Sequence, residues 1–461
     1  MSKLKRVSLK EGLLLLLAIL IIMGICVIGF KIPPEVPILI SIMIIIAWAK
    51  ARGTKWKQID QGFVSGVKDG IVPFLIFILI GALIGIWIAS GVIPSLMVFG
   101  FHLISVRWFL PSAFIVTAIV GSFIGSAFTV ISTLGVAFMG MGLTMHIDPA
   151  MVAGAVLCGA IFGDKSSPLS ATDNLSAAVV GADLMKHIKN LMWSTIPALV
   201  GSFILFCLIG RTNHSASLAH VHAVIQTLDQ HFSVTWWAIV PVALLCICAW
   251  GHVPTVSSLF INILVSSGML TIEHPHFGIS KWNDVLVNGF KSTTGNHTVD
   301  TLLSRGGINN MMGTLSLVLI ALALGGLLSH LGVIRAVMIP LSRHMHSTGA
   351  LITAVICSGI GVNFFIGEQY LSVVLPASAF NTIFKKRGLA PVALSRALED
   401  GGTVINYLIP WGVAGAFVST TLNISPFRYV PFVFFSLLSP IFSIISGFTG
   451  IGIKRLKNHQ Q

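Results

Sequence analysis

Charged residues are scarce in this sequence. Only 9% of its 461 residues are Asp, Glu, Lys or Arg, whereas an ordinary soluble domain carries about 25%. The charges gather in short islands, such as residues 3–10, 50–57 and 454–457, and apolar runs of spanning length lie between them. Runs of about 20 apolar residues are typical of transmembrane helices. The composition therefore excludes a soluble protein and predicts an all-α polytopic protein embedded in a lipid bilayer.

Several chemical signatures are missing as well. There is no glycine-rich loop that ends in Lys-Ser or Lys-Thr, so no motif for ATP or a redox cofactor is visible. The six cysteines all lie inside apolar runs, without the spacing of a metal site or a disulfide framework. The net charge of +13 comes from Lys and Arg in short connectors between spans, where such residues set orientation. We expect neither a cofactor nor a nucleic-acid partner.

The chain repeats itself weakly. Gly85 aligns with Gly326 at an offset of 241 residues, and Pro168 aligns with Pro410 at an offset of 242. Because such matches keep one order and nearly one spacing, they indicate a duplicated unit, which is a mark of secondary transporters. We divide the chain into a first transmembrane repeat, a polar external linker and a second transmembrane repeat, at residues 1–210, 211–234 and 235–461.

Basic connectors predict the topology. Both ends of the chain and the connectors near residues 50–68, 186–189 and 385–387 are rich in Lys and Arg, whereas residues 144–149 contain none. Placing the basic segments in the cytoplasm requires an odd number of crossings in each half. We therefore expect two inverted repeats in the plasma or inner membrane, with both termini cytoplasmic.

The number of spans depends on two pairs of apolar arms, at residues 108–143 and 348–384. Each pair forms either two full helices or a re-entrant hairpin, which gives about fourteen or about ten crossings.

The linker at 211–234 contains His214, His220 and two further histidines. A solvated linker is favoured there over metal binding or pH sensing, because a loose histidine tract is only a compositional signal.

Two acidic residues lie where a bilayer would disfavour them. Asp164 and Glu368 each follow a glycine inside a long apolar run. A charge at membrane depth is costly, so an ionisable residue there is a functional-site hypothesis by default.

The segment around Asp164 is typical of a broken helix. Gly163 relaxes the backbone, and Pro168 removes a hydrogen-bond donor and blocks the helix. Irregular backbone at membrane depth persists only where it is buried in protein or lines a cavity. Freed carbonyl and hydroxyl oxygens suit sodium, and Asp164 supplies a charge that can hold sodium or a proton in turn.

Asn406 aligns with Asp164 at the offset of 242 residues, so the second half offers a neutral oxygen at the equivalent place. We predict Asp164, Thr172 and Glu368 as sodium ligands. The full predicted ion- or substrate-binding set is Asp164, Ser167, Ser170, Thr172, Asp173, Asn174, Glu368 and Asn406.

Nearby charges offer partners. Lys165 can balance Asp164 or Asp173, and Arg396 can pair with Glu399 or Asp400 one helical turn away. Purely structural roles stay open beside these. Asp164 and Lys165 can form an ion pair at a helix end, Glu399 and Asp400 an interfacial capping cluster, and Asp173 an N-cap.

Together these motifs resemble the NhaC family of sodium/proton antiporters over nearly the whole chain. The segments that carry the resemblance are 163–170 with Asn174-Leu175, Gly306-Gly307-Ile308-Asn309, 367–372, 395–400 and Ile409-Pro410-Trp411. Two departures stand out. The family usually has an acid at Ala171 and a second threonine where this chain has Asp173, and it commonly has Asp where this chain has Glu368.

The resemblance implies a secondary antiporter that exchanges sodium for protons by alternating access, without enzymatic activity, and it leaves a homodimer open. It also leaves an alternative function, because the family includes members that look like malate/lactate antiporters coupled to sodium and protons. An intramembrane aspartyl protease is disfavoured, since Ile161 replaces the first glycine of the Gly-x-Gly-Asp motif.

Overall fold

The structure is a computed structural model that describes residues 7–104, 106–210, 218–275, 277–343, 345 and 347–456. Across these ranges the regular structure is helical, apart from one isolated bridge between Leu389 and Arg455. The predicted all-α class is confirmed. His214 of the linker lies outside the described residues.

Helices of the first half are as follows: α1 Leu9–Met23, α2 Glu35–Ala51, α3 Trp56–Asp69, α4 Ile71–Ala89, α5 Val92–Leu103, α6 Phe109–Ile124, α7 Ala127–Val130, α8 Val136–Thr144, α9 Pro149–Ser166, α10 Ala171–Val180 and α11 Leu184–Gly210. A π-helical turn at Gly24–Gly29 extends α1, and another at Ile131–Gly135 joins α7 to α8. A short 3-10 turn at Val106–Trp108 precedes α6.

Helices of the remaining chain are as follows: α12 Leu218–His231, α13 Ile239–Trp250, α14 Thr255–Glu273, α15 Ile279–Asn288, α16 His297–Leu303, α17 Ile308–His330, α18 Val333–Arg343, α19 Thr348–Ile366, α20 Gln369–Lys386, α21 Pro391–Gly401, α22 Thr403–Asn406, α23 Val413–Leu422, α24 Pro426–Tyr429 and α25 Phe434–Thr449. Short 3-10 turns at Trp236–Ala238 and Val430–Phe432 precede α13 and α25.

Seven helices of the described chain are long and apolar enough to cross a bilayer, and nine spans result if each of two bent helix pairs counts as one. The expected ten to fourteen crossings exceed this number. The difference arises because several apolar helices, such as α5, α6 and α23, have fewer than 18 residues. Breaks in the chain shorten these helices, so length alone does not count them as spans.

In the described part of the linker, residues 218–231 form the helix α12. Val221, Val224 and Leu228 are buried on one face of α12, at the spacing of an amphipathic helix. This face packs against α5, α8 and α16. The chain then bends by 93° into the segment Trp236–Trp250. His220, His222 and His231 lie in α12, whose apolar side anchors this helix to the rest of the protein.

Both halves contain the same kind of hairpin. In the first half α6 ends at Gly125, which is left-handed (φ 68°), and Ser126 caps the next helix. In the second half α19 ends at Gly367 (φ 75°), and Glu368 caps α20. Positive φ favours glycine because it has no Cβ. The two turns are 242 residues apart, which is the offset found in the sequence.

Aligned glycines of the two halves mediate close helix contacts. A Cβ atom on Gly326 of α17 would lie 2.4 Å from the Cα atom of Gly66 in α3. A Cβ atom on Gly85 of α4 would lie 2.6 Å from the carbonyl oxygen of Val285 in α15. Small residues allow such close backbone approach in membranes. Thus α3 packs on α17, and α15 packs on α4, each time across the two halves.

Candidate ion-binding site

A cavity of about 480 Å³ lies between the break that follows Asp164 and the start of α20. Asp164, Thr172 and Glu368, the three predicted sodium ligands, all line it. The remaining wall includes Ser126 and Thr129 of the first hairpin, parts of α4, and the turn between α13 and α14. We call this space the Asp164 cavity. It brings together residues that are about 200 positions apart in the chain.

Asp164 lies in the last turn of α9. The helix begins with Asp148, whose side chain accepts a hydrogen bond from the Ala150 amide at 2.9 Å, followed by proline at the first helical position. It ends because Ser167 is extended (ψ 130°) and Pro168 follows. Carbonyl groups at a helix C-terminus carry partial negative charge. Asp164, half-buried at the cavity wall, therefore lies at an end that favours a cation.

Hydroxyl groups shape the short loop after α9. Ser170 caps α10 by accepting a hydrogen bond from the Asp173 amide at 3.4 Å, and its hydroxyl lies 2.9 Å from that of Thr172. The buried Ser167 accepts from the Leu169 amide at 3.3 Å. Of these three hydroxyl residues, Thr172 lines the cavity, while Ser167 and Ser170 hold the loop.

Asn174 has a different position from the predicted one. Its side chain is exposed, and its amide group donates to the carbonyl oxygens of Pro168 at 3.0 Å and Ser170 at 2.7 Å. It does not line the Asp164 cavity. The prediction that Asn174 binds the ion has no support in this placement, because the residue stabilises the loop from outside.

Glu368 enters the cavity from the second half. It is fully buried, and one carboxylate oxygen accepts a hydrogen bond from the Leu371 amide at 2.7 Å at the start of α20. Ser126 occupies the equivalent position in the first half and caps α7 through the Thr129 amide. Sequence reasoning missed Ser126 and Thr129. The same offset of 242 residues that related the two glycine turns would have indicated Ser126.

Asn406 does not line the Asp164 cavity. Its amide nitrogen donates to the Asn363 side chain at 2.8 Å and to the Gly367 carbonyl at 3.2 Å. Its amide oxygen accepts from the Ala414 backbone at 2.9 Å. Asn406 thus ties together the second break, rather than offering a free oxygen to the cavity as predicted.

Asp173 belongs to a second group of polar side chains, apart from the cavity. Asp173 of α10, His187 of α11 and Glu399 of α21 are each buried with 0% exposure. One ligand atom from each lies within 4.8 Å of the other two. We call these three residues the buried triad.

The N-cap alternative for Asp173 is wrong, because Ser170 is the cap. Sequence reasoning missed His187, which lies in a basic connector and looked cytoplasmic.

Lys165 has a partner that the sequence did not suggest. Its ammonium group lies 2.5 Å from a carboxylate oxygen of Asp400 and 2.6 Å from the Ser439 hydroxyl. Both charged side chains are almost completely buried. Lys165 is therefore paired with the other half of the chain rather than with Asp164 or Asp173. The interfacial role for Asp400 is also wrong, because the residue is in the interior.

Arg396 does not pair with Glu399 or Asp400, contrary to the prediction. Its guanidinium group donates to the Ser446 hydroxyl at 2.8 Å, and lies 3.5 Å from the carbonyl oxygens of Asn190 and Gly452. Within the described residues it forms no ion pair. Glu399 instead accepts hydrogen bonds from the hydroxyls of Ser176 and Thr403.

A broken helix that places an acid beside a cavity, in a chain built of apolar helices, is typical of a secondary transporter. Residues 159–451 match the model of the Na+/H+ antiporter family. The chain is 39% identical to the Na(+)/H(+) antiporter NhaC of Alkalihalophilus pseudofirmus, with 97% of each chain covered. It is 38% identical to the protein of that name in Bacillus subtilis, over 92% of this chain and 94% of that one.

The chain belongs to the Na+/H+ antiporter family. It is a multi-pass membrane antiporter for sodium and protons, and it is not an enzyme, so the protease alternative is excluded. A further relative, the malate-2H(+)/Na(+)-lactate antiporter of Bacillus subtilis, is 29% identical over 96% of this chain and 97% of that one.

Proposed function

We propose that the chain exchanges sodium for protons at the Asp164 cavity, with Asp164 as the carboxylate that both ions use in turn. One observation carries the proposal: Asp164, Thr172 and Glu368 line a single cavity although they come from both halves. Sodium is a hard cation that prefers oxygen ligands, and carboxylate and hydroxyl groups supply them. A proton on Asp164 removes the charge that holds sodium.

Competition for one carboxylate is sufficient for exchange. When Asp164 is ionised, the carboxylate and the C-terminal end of α9 both attract a cation. When Asp164 is protonated, Glu368, whose carboxylate caps α20, is the one acid left among the described lining residues. Because the site needs one cation of either kind to neutralise Asp164 at membrane depth, an empty ionised state is costly. This cost couples the two fluxes.

We also propose that the two halves are inverted repeats, which supplies alternating access. Support comes from the equivalent glycine turns, and from the reciprocal packing of α3 on α17 and α15 on α4. Single-cysteine labelling from each side of the membrane tests the expected topology. Cysteines near residue 55 and near residue 387 are expected to react from the cytoplasmic side, and one near residue 146 from the outside.

Proton flux in proteoliposomes tests the exchange. A pH-sensitive dye is recorded after sodium is added, for the wild-type chain, for Asp164→Asn and for the control Asp229→Asn, which changes an exposed acid on α12. We expect sodium-driven proton movement in the wild type and the control, and none in Asp164→Asn. Exchange that persists in Asp164→Asn would show that another group carries the proton.

A second candidate function, exchange of an organic acid such as malate or lactate, has its own observation. A larger cavity of about 1120 Å³ is lined by Lys31, Lys291 and Arg305, with Glu35 as its one acid among the described residues. None of the three cations forms an ion pair within the described chain. The N-terminus of α17 also lines this cavity, and such an end attracts carboxylates.

Counterflow of labelled malate or lactate distinguishes the two functions. If an organic acid is exchanged, uptake should require sodium and should fall in Arg305→Gln, while Asp229→Asn stays at the wild-type rate. If sodium-driven proton movement is complete without any organic acid, the sodium/proton exchange stands alone. The homodimer stays a prediction of the sequence.

A further inference from the structure

The exchange proposed above does not use the buried triad, whose donor set of one imidazole and two carboxylates is different. Asp173, His187 and Glu399 come from α10, α11 and α21, so the triad joins the two halves. All three side chains have 0% exposure. None of them lines the Asp164 cavity. We propose that these three residues bind a divalent transition-metal ion of the zinc class.

The orientation of His187 indicates a metal ligand. The Ser395 hydroxyl donates to the Val392 carbonyl oxygen at 3.2 Å, so its oxygen is left to accept from the His187 Nδ1–H at 2.7 Å. That assignment leaves Nε2 with a lone pair. Nε2 has no hydrogen-bond partner among the described residues and lies 3.8 Å from a carboxylate oxygen of Asp173. A histidine ligand commonly has its other nitrogen held by a hydrogen bond in this way.

The two acids complete the donor set. Both carboxylate oxygens of Asp173 are buried without a hydrogen-bond partner in the described ranges. Glu399 accepts one hydrogen bond on each oxygen, from Ser176 at 2.5 Å and from Thr403. These hydroxyl donors orient the Glu399 carboxylate and leave a second lone pair on each oxygen. One nitrogen and two carboxylates therefore face one small volume.

Charge balance favours a dication. The neighbouring Lys165 forms its ion pair with Asp400, so among the described residues no Lys or Arg side chain lies within ion-pair distance of Asp173 or Glu399. Burying uncompensated charge is costly. A divalent ion neutralises both acids at once. Mixed imidazole and carboxylate ligands suit zinc and its neighbours, whereas magnesium and calcium prefer oxygen alone.

The spacing allows an ion after a small movement. Metal–ligand distances of about 2.0–2.2 Å keep two ligand atoms within roughly 4.4 Å of each other. The widest separation here is no more than 4.8 Å. A shift of the ligand atoms by a few tenths of an ångström, which small side-chain movements allow, would bring all three within bonding distance of one ion.

Metal content tests the proposal on the full-length chain purified in detergent. The protein is stripped with a chelator, incubated with Zn²⁺ and dialysed, and bound zinc is measured by mass spectrometry. We expect about one zinc ion per chain. Co²⁺ in place of Zn²⁺ should give the visible absorption of a four-coordinate site with nitrogen and oxygen ligands.

Variants assign the ligands. His187→Gln should abolish binding, and Ser395→Ala, which frees Nδ1, should weaken it by about 10- to 100-fold. His102→Gln, an exposed histidine on α5, should bind as the wild type does. If His187→Gln folds poorly, zinc binding by Ser395→Ala and the cobalt spectrum of the wild type still test whether the triad binds a metal ion.

Two results would overturn the site. One is a wild-type chain that retains no zinc and gives no cobalt spectrum, which would mean that protons neutralise the triad. The other is unchanged binding in His187→Gln or Ser395→Ala. Neither readout depends on ion transport, so a failure here leaves the exchange at Asp164 untouched.

Discussion

The two helix breaks are built alike but hold different chemistry. At equivalent positions, the first break has Asp164 followed by Lys165, and the second has Asn406 followed by Tyr407. The Asn406 amide uses both of its ends to tie its own break together. Asp164 faces a cavity, and Lys165 reaches into the other half.

The difference follows from what lies opposite each residue. Asn363, which accepts from Asn406, is replaced by Gly121 at the same offset in the first half. Gly121 packs so closely on α9 that a Cβ atom there would lie 3.1 Å from the Gly163 Cα. The first break therefore lacks a side-chain amide at the place where Asn363 holds Asn406 in the second. The second break is closed by its own hydrogen bonds, whereas the first break carries the two charged side chains.

The largest expected effect comes from removing that charge. Asp164→Asn gives the first break the side chain of the second. At about 4 Å and an effective dielectric constant of about 20, a unit charge pair is worth roughly 4 kcal/mol, so we expect sodium affinity to fall by about a thousandfold. Isothermal titration with sodium at high pH measures it. A fall of less than tenfold would contradict the assignment.

Lys165→Met removes the other charge of the first break and makes it apolar, closer in character to its counterpart Tyr407. Asp400 would lose its buried partner, and breaking such a pair costs about 3–5 kcal/mol. We expect a large drop in the midpoint of thermal unfolding in detergent. Lys165→Met combined with Asp400→Leu should recover most of it, because an apolar pair replaces both charges. If the double variant does not recover the unfolding midpoint, the loss of stability has a cause other than the unpaired Asp400.

Asn406→Asp tests whether the second break can take the role of the first. The carboxylate still accepts from Ala414, but it cannot donate to Asn363 or Gly367. Each buried acceptor left without a donor costs about 1–3 kcal/mol. We expect a less stable protein, and no rescue of exchange when Asn406→Asp is combined with Asp164→Asn. Restored proton flux in that double variant would contradict the division of roles.

Ser126→Ala has the smallest expected effect. Ser126 and Glu368 cap equivalent helices, and the loss of a serine cap costs about 1 kcal/mol. We expect a modest loss of stability with sodium affinity reduced only slightly, whereas Glu368→Gln should lower sodium affinity more than stability. Unfolding and sodium titration of both variants separate the two effects. A larger affinity loss in Ser126→Ala would make its hydroxyl a direct ligand.

The helical class, the family and the meeting of Asp164 with Glu368 followed from sequence because a buried acid in an apolar run is rarely kept unless it has a function. The repeat offset also located the two glycine turns. These features depend on local composition and on spacing along the chain, which the sequence displays directly.

Partners across the halves could not be predicted in this way. Lys165 pairs with Asp400 at a distance of 235 residues, whereas sequence reasoning offered it the adjacent acids. His187 sits among basic residues that indicated a cytoplasmic connector, yet it is fully buried. Asn174 and Asn406 have side-chain amides of the kind that can bind an ion. Only the structure shows that these amides are already hydrogen-bonded to neighbouring groups.

The contact between Lys165 and Asp400 has a mechanical consequence. Lys165 is the neighbour of Asp164 in α9, and Asp400 lies shortly before Asn406 in the next broken helix. Leaving either charge of such a pair buried without its partner costs about 3–5 kcal/mol. We therefore expect a movement of α9 at Asp164 to be accompanied by a movement of α21, because the pair would otherwise separate. The pair thus links the helix that carries Asp164 to the helix that precedes Asn406.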